Sequence, residues 1–348
     1  MEETVHAPRG RGAAINPTNR FEKMAVELEV PGPERVQTEL LRDGSRSIIT
    51  YNDSPDVGFD ASLNPYRGCE HGCIYCYARP THEYLGFSAG LDFESRILVK
   101  EDAPELLRRE LCAKKWQPQT LAMSGVTDPY QPVERKLEIT RRCLAVLAEL
   151  RNPVAVITKN ALVTRDIDHL AALAEHGAAT VFLSITTLDG ELARKMEPRA
   201  SHPHDRLAAV ARLSAAGIPT GVMMAPIVPA ITDHEIPKVL EAAAEAGART
   251  AGYVLMRLPG AVAGLFEGWL AEHFPDRKEK VMHRIQELRG GRMNDPRFGS
   301  RMRGEGIYAE QIRSTFHTFR RKHGLDKLFP ALSTAAFRRP GEQMSLFG

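Results

Sequence analysis

From about residue 58 to residue 258 the chain alternates short β-branched and aliphatic runs with longer stretches of helical periodicity, six times over. The strand candidates are residues 60–65, "TLAMS" (120–124), "VAVIT" (154–158), "TVFLSI" (180–185), "TGVMM" (220–224) and "AGYVL" (251–255). Between them, "TRDIDHLAALAEHG" sets Ile167, Leu170, Leu173 and Leu162 or Val163 near one helical face and stops at Gly177; the segments ending at Gly217 and Gly247 stop the same way. "EDAPELLRREL" offers Asp102 as an N-cap, Pro104 in the first turn and Glu105 to close a capping box. Strand-then-helix units of this kind imply an α/β fold with a parallel sheet, since each helix returns the chain to the same end of the sheet. Six units in about 200 residues suit a partial (β/α)6 barrel, with a doubly wound open sheet as the structural alternative.

The flanks differ from this body. Residues 1–45, with "RGRGAAINPTNR", are polar and rich in Gly, Pro and Arg, and read as an extended or partly disordered arm in which no core begins. The expected body is 46–260, followed by a mainly helical basic region (261–338) and a tail (339–348). From Arg284 onward there are 13 Lys/Arg against 6 Asp/Glu, which leaves 33 against 38 before it, so a mildly acidic body carries a basic extension suited to a polyanion. No apolar run approaches the roughly 20 residues that span a bilayer, and no signal-peptide core opens the chain, so the expectation is a cytoplasmic protein with no membrane partner. Five cysteines, an odd number, are then thiols or metal ligands rather than disulfides.

In alternating folds the chemistry sits where strands end and loops begin. Here the first strand runs into "NPYRGCEHGCIYCYARP", the second ends at Ser124-Gly125-Val126-Thr127-Asp128, the third at Lys159-Asn160, the fourth at Ser184-Ile185-Thr186-Thr187 and the sixth at Met256-Arg257. Each alone is ordinary polar loop; together they mark one rim. Cys69, Cys73 and Cys76 lie within eight positions. They suit either a structural zinc with His71 or His82 as fourth ligand, or a [4Fe-4S] cluster with one iron left open to a small molecule.

The pattern C-x3-C-x-aromatic-C after a first strand, supplied by Cys69, Cys73, Tyr75 and Cys76, resembles the radical S-adenosylmethionine (SAM) superfamily. The resemblance implies that the three cysteines hold a [4Fe-4S] cluster and that the open iron binds the amino and carboxylate groups of SAM. An electron from a donor such as flavodoxin or ferredoxin then yields a 5′-deoxyadenosyl radical that takes hydrogen from the substrate. The closer likeness is to the spore photoproduct lyase-like branch, over roughly residues 50–260. Ser124, Lys159 and Ser184 match that branch's SAM-binding serine, lysine and serine, and "MSGVTDPYQPVE" stands where many radical SAM enzymes carry Gly-Gly-Glu. The lyases' hydrogen-donor cysteine is replaced by Ala122, which puts repair of the spore photoproduct itself in doubt. Cys112 and Cys143 read as structural thiols of helices. Tyr75 and Tyr77 are candidates to relay hydrogen atoms, or to wall in the adenine.

The extension carries Arg297, Arg301 and Arg303 in a glycine-rich loop, then Arg320, Arg321 and Lys322 at a helix end. These are phosphate-binding candidates, although a charge run is usually a solvated face. The final "QMSLF" resembles the pentapeptide by which bacterial repair and replication enzymes dock on the DNA sliding clamp. Gln343 would make the polar contact, and Leu346 and Phe347 the apolar ones. If instead the two apolar residues pack on their own domain, that link falls away. The expected function is a radical SAM enzyme acting on DNA, in lesion repair or modification. The alternatives are an RNA- or nucleotide-modifying radical SAM enzyme, and a non-catalytic metal-stabilised nucleic-acid-binding protein.

Overall fold

The computed structural model describes residues 6–22, 35–327, 329 and 331–340. Ten strands follow in chain order: β1 (Glu39–Arg42), β2 (Ile49–Tyr51), β3 (Ala61–Leu63), β4 (Tyr66–Arg67), β5 (Arg96–Val99), β6 (Leu121–Met123), β7 (Val154–Thr158), β8 (Ala179–Ser184), β9 (Thr220–Ile227) and β10 (Thr250–Leu255). Seven form one sheet in the order β10-β9-β8-β7-β6-β3-β2. From β3 to β10 every neighbouring pair is parallel, and β2 is added antiparallel on the β3 edge. The six strands expected from the sequence are the six parallel ones, in sequential order, joined by helices that include Ala103–Cys112, Ile139–Leu150, Ile167–Ala174, Pro203–Ala215 and Ile236–Glu245.

The sheet is held by apolar residues that line up across it. Leu63 pairs with Met123, Met123 with Val156 and Val156 with Val181, and each of the four is fully buried. Truncating such a side chain to alanine typically costs about 2–5 kcal/mol. Gly177, Gly217 and Gly247 take positive φ (64°, 77° and 91°) where the periodicity stops each helix. Asp102 makes no capping bond; its carboxylate lies 3.3 Å from the Arg42 guanidinium instead. The β10 edge is covered by the extension: Ala251 donates to Leu325 O (3.1 Å), and Phe316 of the helix Ile307–Lys322 meets Tyr253 ring to ring at 4.6 Å.

A second sheet, β1-β5-β4, was not anticipated. It brings the N-terminal segment into the body, against the expectation of an arm with no core of its own. Arg11 and Ala13 are buried, and β1 pairs residue for residue with β5. The contact is made through backbone. A Cβ on Gly12 would sit 1.8 Å from Gly72 O in the cysteine loop, so only glycine lets the two segments touch. Among the described residues no helix is long and apolar enough to cross a membrane.

Candidate active site

Beyond the carboxyl end of β3 the chain passes through β4 into the cysteine loop, where Cys69 N–H donates to Phe93 O (2.9 Å), just before β5. The loop's backbone is fixed by two buried side chains. Arg79, fully buried, donates from Nε to Cys73 O (3.0 Å), from Nη2 to Gly72 O (3.1 Å), and from Nη1 to Ala89 O (3.2 Å) and Gly90 O (2.9 Å). Its charge meets Glu94, also fully buried, at 2.5 Å. Glu94 in turn accepts from the backbone N–H groups of Gly12 (2.9 Å) and Ala13 (2.8 Å), and Arg11 donates to Glu94 O. One ion pair thus ties the N-terminal segment to the loop that carries the cysteines.

The loop after β6 supports it from the other side. Thr127 Oγ1 donates to Gly68 O (2.7 Å), and Gln131 Oε1 accepts from Glu70 N (2.9 Å). Asp128 accepts from Thr158 Oγ1 (2.7 Å) and Lys159 N (2.8 Å) and lies 3.4 Å from His71 Nδ1. Its burial opposes ionisation, but His71 and these donors hold its pKa below the ordinary carboxylate value.

Cys69 and Cys73 are buried and Cys76 is half-buried. Burial pushes all three thiols up, and Cys69 is pushed further by Asp128 and by the other two cysteines. Cys76 packs both against the buried cluster that holds Cys69 and against the one that holds Cys73. The positive charge of Lys159 acts in the opposite sense on Cys73 and Cys76. Lys159 Nζ donates to Ala225 O (2.9 Å), lies 3.5 Å from Glu197 Oε1 and sits 5.8 Å from the centre of the Tyr75 ring. Glu197 is the hub of this wall. It accepts from the Tyr75 hydroxyl, from Thr186 Oγ1 (2.7 Å) and from the buried Arg206 guanidinium, whose Nη1 also donates to Ser184 O (2.9 Å). Burial would push the Glu197 carboxyl up; Arg206 and Lys159 outweigh it and hold it far below its ordinary value.

Tyr75, Lys159 and Ser184 are therefore brought together beside the cysteines. The hydroxyls of Ser124 and Ser184 make no hydrogen bond within the described residues, which leaves them open to a ligand. Tyr77 is more open: its ring is half-exposed, its hydroxyl donates to Gly125 O, and the Arg257 guanidinium lies 5.1 Å from the ring centre. Ala122 is buried in β6. Cys143 is fully buried within its helix, and Cys112 ends the helix Ala103–Cys112.

The arginines of the extension are less free than their spacing implies. Arg297 is engaged by Asp295 (2.9 Å) and Glu305 (3.1 Å), Arg301 by Asp56 and Ser54, and Arg303 lies 5.1 Å over the Tyr253 ring. Gln343, Leu346 and Phe347 lie outside the described residues.

A model of the radical SAM superfamily matches residues 63–243. The chain belongs to the radical SAM superfamily. Uncharacterised proteins of Mycobacterium tuberculosis (strain H37Rv) and Mycobacterium bovis are each 36% identical to it over 232 residues, 66% of this chain and 67% of theirs. One of Methanocaldococcus jannaschii is 30% identical over 173 residues, 50% of this chain and 62% of its own. Among solved structures, spore photoproduct lyase complexed with dinucleoside spore photoproduct superposes with a TM-score of 0.57 over 82% of this chain and 79% of the lyase, at 15% identity. A lyase variant with bound SAM and the same dinucleoside gives 0.56 at 16% identity, over 82% of this chain and 78% of the variant.

Radical SAM enzymes use a [4Fe-4S] cluster and SAM, and the residues present fit that pair better than a zinc ion. Of the histidines a zinc site would recruit, His71 is engaged between Asp128 and Asn160, while His82 donates Nε2–H to Arg96 O (3.0 Å) and keeps an unpartnered Nδ1. Burial also keeps His82 neutral, with its pKa down at about 4. Three soft thiol donors on one short loop match a cluster of several irons.

Proposed function

We propose that this radical SAM enzyme acts on nucleic acid, with DNA as the preferred substrate, and that Cys69, Cys73 and Cys76 are the protein ligands of its cluster. The six parallel strands are read as a partial (β/α)6 barrel with its chemistry at the carboxyl ends. The bound cluster and SAM supply a carbon-centred radical able to take hydrogen from an unactivated carbon. The chain's own residues do the rest. Lys159 offers a cation for the methionyl carboxylate, and the hydroxyls of Ser124 and Ser184 offer hydrogen bonds to the amino group or ribose. The Glu197–Arg206 pair locks Tyr75 and Lys159 in place, so that Tyr75 walls the pocket. Tyr77, on the rim, is the tyrosine positioned to meet a substrate.

The observation that carries the substrate assignment is the half-exposed Tyr77 beside Arg257, at the mouth of a site whose fold is shared with a lyase solved with a dinucleoside lesion. A cytoplasmic setting in DNA repair or modification, reduction by flavodoxin or ferredoxin, and a clamp tether at Gln343, Leu346 and Phe347 belong to the same reading.

Salt dependence of nucleic-acid binding tests it. With Arg297 and Arg301 engaged by carboxylates, about two phosphate contacts are expected. On duplex, log affinity should then fall with log salt at a slope near −1.8, roughly tenfold between 50 and 200 mM. Fluorescence anisotropy with labelled DNA and RNA measures this. Salt-independent binding, or none to either, would assign a small-molecule substrate. Binding to RNA alone would favour the RNA-modifying reading.

A further inference from the structure

The fold satisfies its buried guanidinium groups with care. Arg11, Arg79, Arg206 and Arg289 are all buried, and each is surrounded by carbonyl or carboxylate oxygens; Arg289 alone donates to Leu255 O, Met256 O, Ser300 O and Arg301 O. Arg257, two residues beyond β10, is the contrast. Its side chain is partly buried, yet among the described residues it has neither a hydrogen-bond acceptor nor a carboxylate partner. Its guanidinium lies over the face of Tyr77, 5.1 Å from the ring centre. The nearest carboxylate that acts on it, Asp56, is already taken by Arg301 and by the backbone N–H of Gly299 (2.7 Å), while Arg301 adds repulsion. A cation removed from water without a counter-charge is destabilising, and an arriving anion relieves it.

Resting on the reading of a nucleic-acid substrate, we propose that Arg257 is a phosphodiester-binding residue that seats the substrate strand against Tyr77. Guanidinium geometry suits two oxygens of one phosphate, and an arginine lying on an aromatic ring is a surface on which nucleotides also pack. Phe298 (54% exposed) and Val126 (39% exposed) add apolar surface, the first beside Arg301 at 4.6 Å and the second next to the Gly125 carbonyl that holds Tyr77. SAM has an oxyanion too, its carboxylate. But Lys159 lies 3.5 Å from Glu197 and over the ring of the buried Tyr75, whereas Arg257 lies over the half-exposed Tyr77, so the two cations face different parts of the site.

The test uses anaerobically purified full-length protein carrying Arg257→Gln, Arg257→Lys or, as a remote control, Arg313→Gln, with fluorescein-labelled oligothymidine and SAM as separate probes. Removing a charge-assisted contact should weaken oligothymidine binding in Arg257→Gln by roughly 10- to 150-fold, and flatten the salt slope by about 0.7. Arg257→Lys should keep most of the affinity, and Arg313→Gln all of it. SAM affinity should change less than twofold throughout, which also shows that the variants fold. If Arg257→Gln binds oligothymidine as the parent does, this proposal is wrong while the nucleic-acid reading stands. If SAM affinity falls instead, the oxyanion is the methionyl carboxylate and the assignment to phosphate is overturned. If the parent protein binds no strand at all, the wider reading fails first and takes this one with it.

Discussion

Cys73→Ala is expected to leave the purified protein without cluster iron and without any detectable reductive cleavage of SAM, and Cys69→Ala and Cys76→Ala should do the same. The effect is total because a cubane already short of one protein ligand cannot lose a second and stay anchored in the pocket that positions SAM. Cys112→Ser is the matched control, since Cys112 ends a helix and is only half-buried. It should retain iron, brown colour and 5′-deoxyadenosine formation. Equal loss in Cys112→Ser, or full iron content in Cys73→Ala, would show that the ligands lie elsewhere. Iron and sulfide analysis alongside chromatography of the SAM products decides between these outcomes.

The second large effect concerns Arg79. Arg79→Met removes the cation paired with the fully buried Glu94 and strips donors from four loop carbonyls, two of them at Gly72 and Cys73. Breaking a buried ion pair from one side typically costs about 3–5 kcal/mol, since the remaining charge has no water to fall back on. Denaturant unfolding should show a loss of that size. The double variant Arg79→Met/Glu94→Gln should recover part of it, because the stranded charge is gone. A single variant as stable as the parent would mean that the N-terminal segment and the cysteine loop are held by other contacts.

The sequence made the large sheet legible because its six parallel strands are apolar runs separated by helical periodicity, and the residues at their carboxyl ends converge as that pattern requires. Position alone put Cys69, Cys73, Cys76, Lys159 and Ser184 at strand ends; their roles, and that of Tyr75, came from the family resemblance. The second sheet was not, since β1, β4 and β5 are two to four residues long and carry no alternation to detect. The docking of residues 11–13 escaped for a different reason. It is made by backbone N–H groups and a bare glycine, so it leaves no hydrophobic trace; the closely spaced glycines of "RGRGA" were the signal. The charges that organise the site, Arg79, Glu94, Glu197 and Arg206, were invisible because charged residues are ordinarily solvated, and no pattern in one sequence says which are buried. The same blindness overstated the arginines of the extension, whose partners Asp295, Glu305 and Asp56 lie near them only in the fold or in a loop read as simply basic.

What unites these features is a radical SAM site, whose mouth we propose receives a phosphate-bearing strand. The most direct measurement follows hydrogen from substrate into product. Full-length protein, reduced without oxygen, is incubated with SAM in ordinary water and with DNA isolated from cells grown in heavy water, either intact or irradiated with ultraviolet light. The 5′-deoxyadenosine formed is then weighed by mass spectrometry. Deuterium in that product is the predicted result, because the hydrogen it gains would come from carbon-bound positions of the nucleic acid. Continued SAM cleavage with only protium in the product, from intact and irradiated DNA alike, would contradict the account.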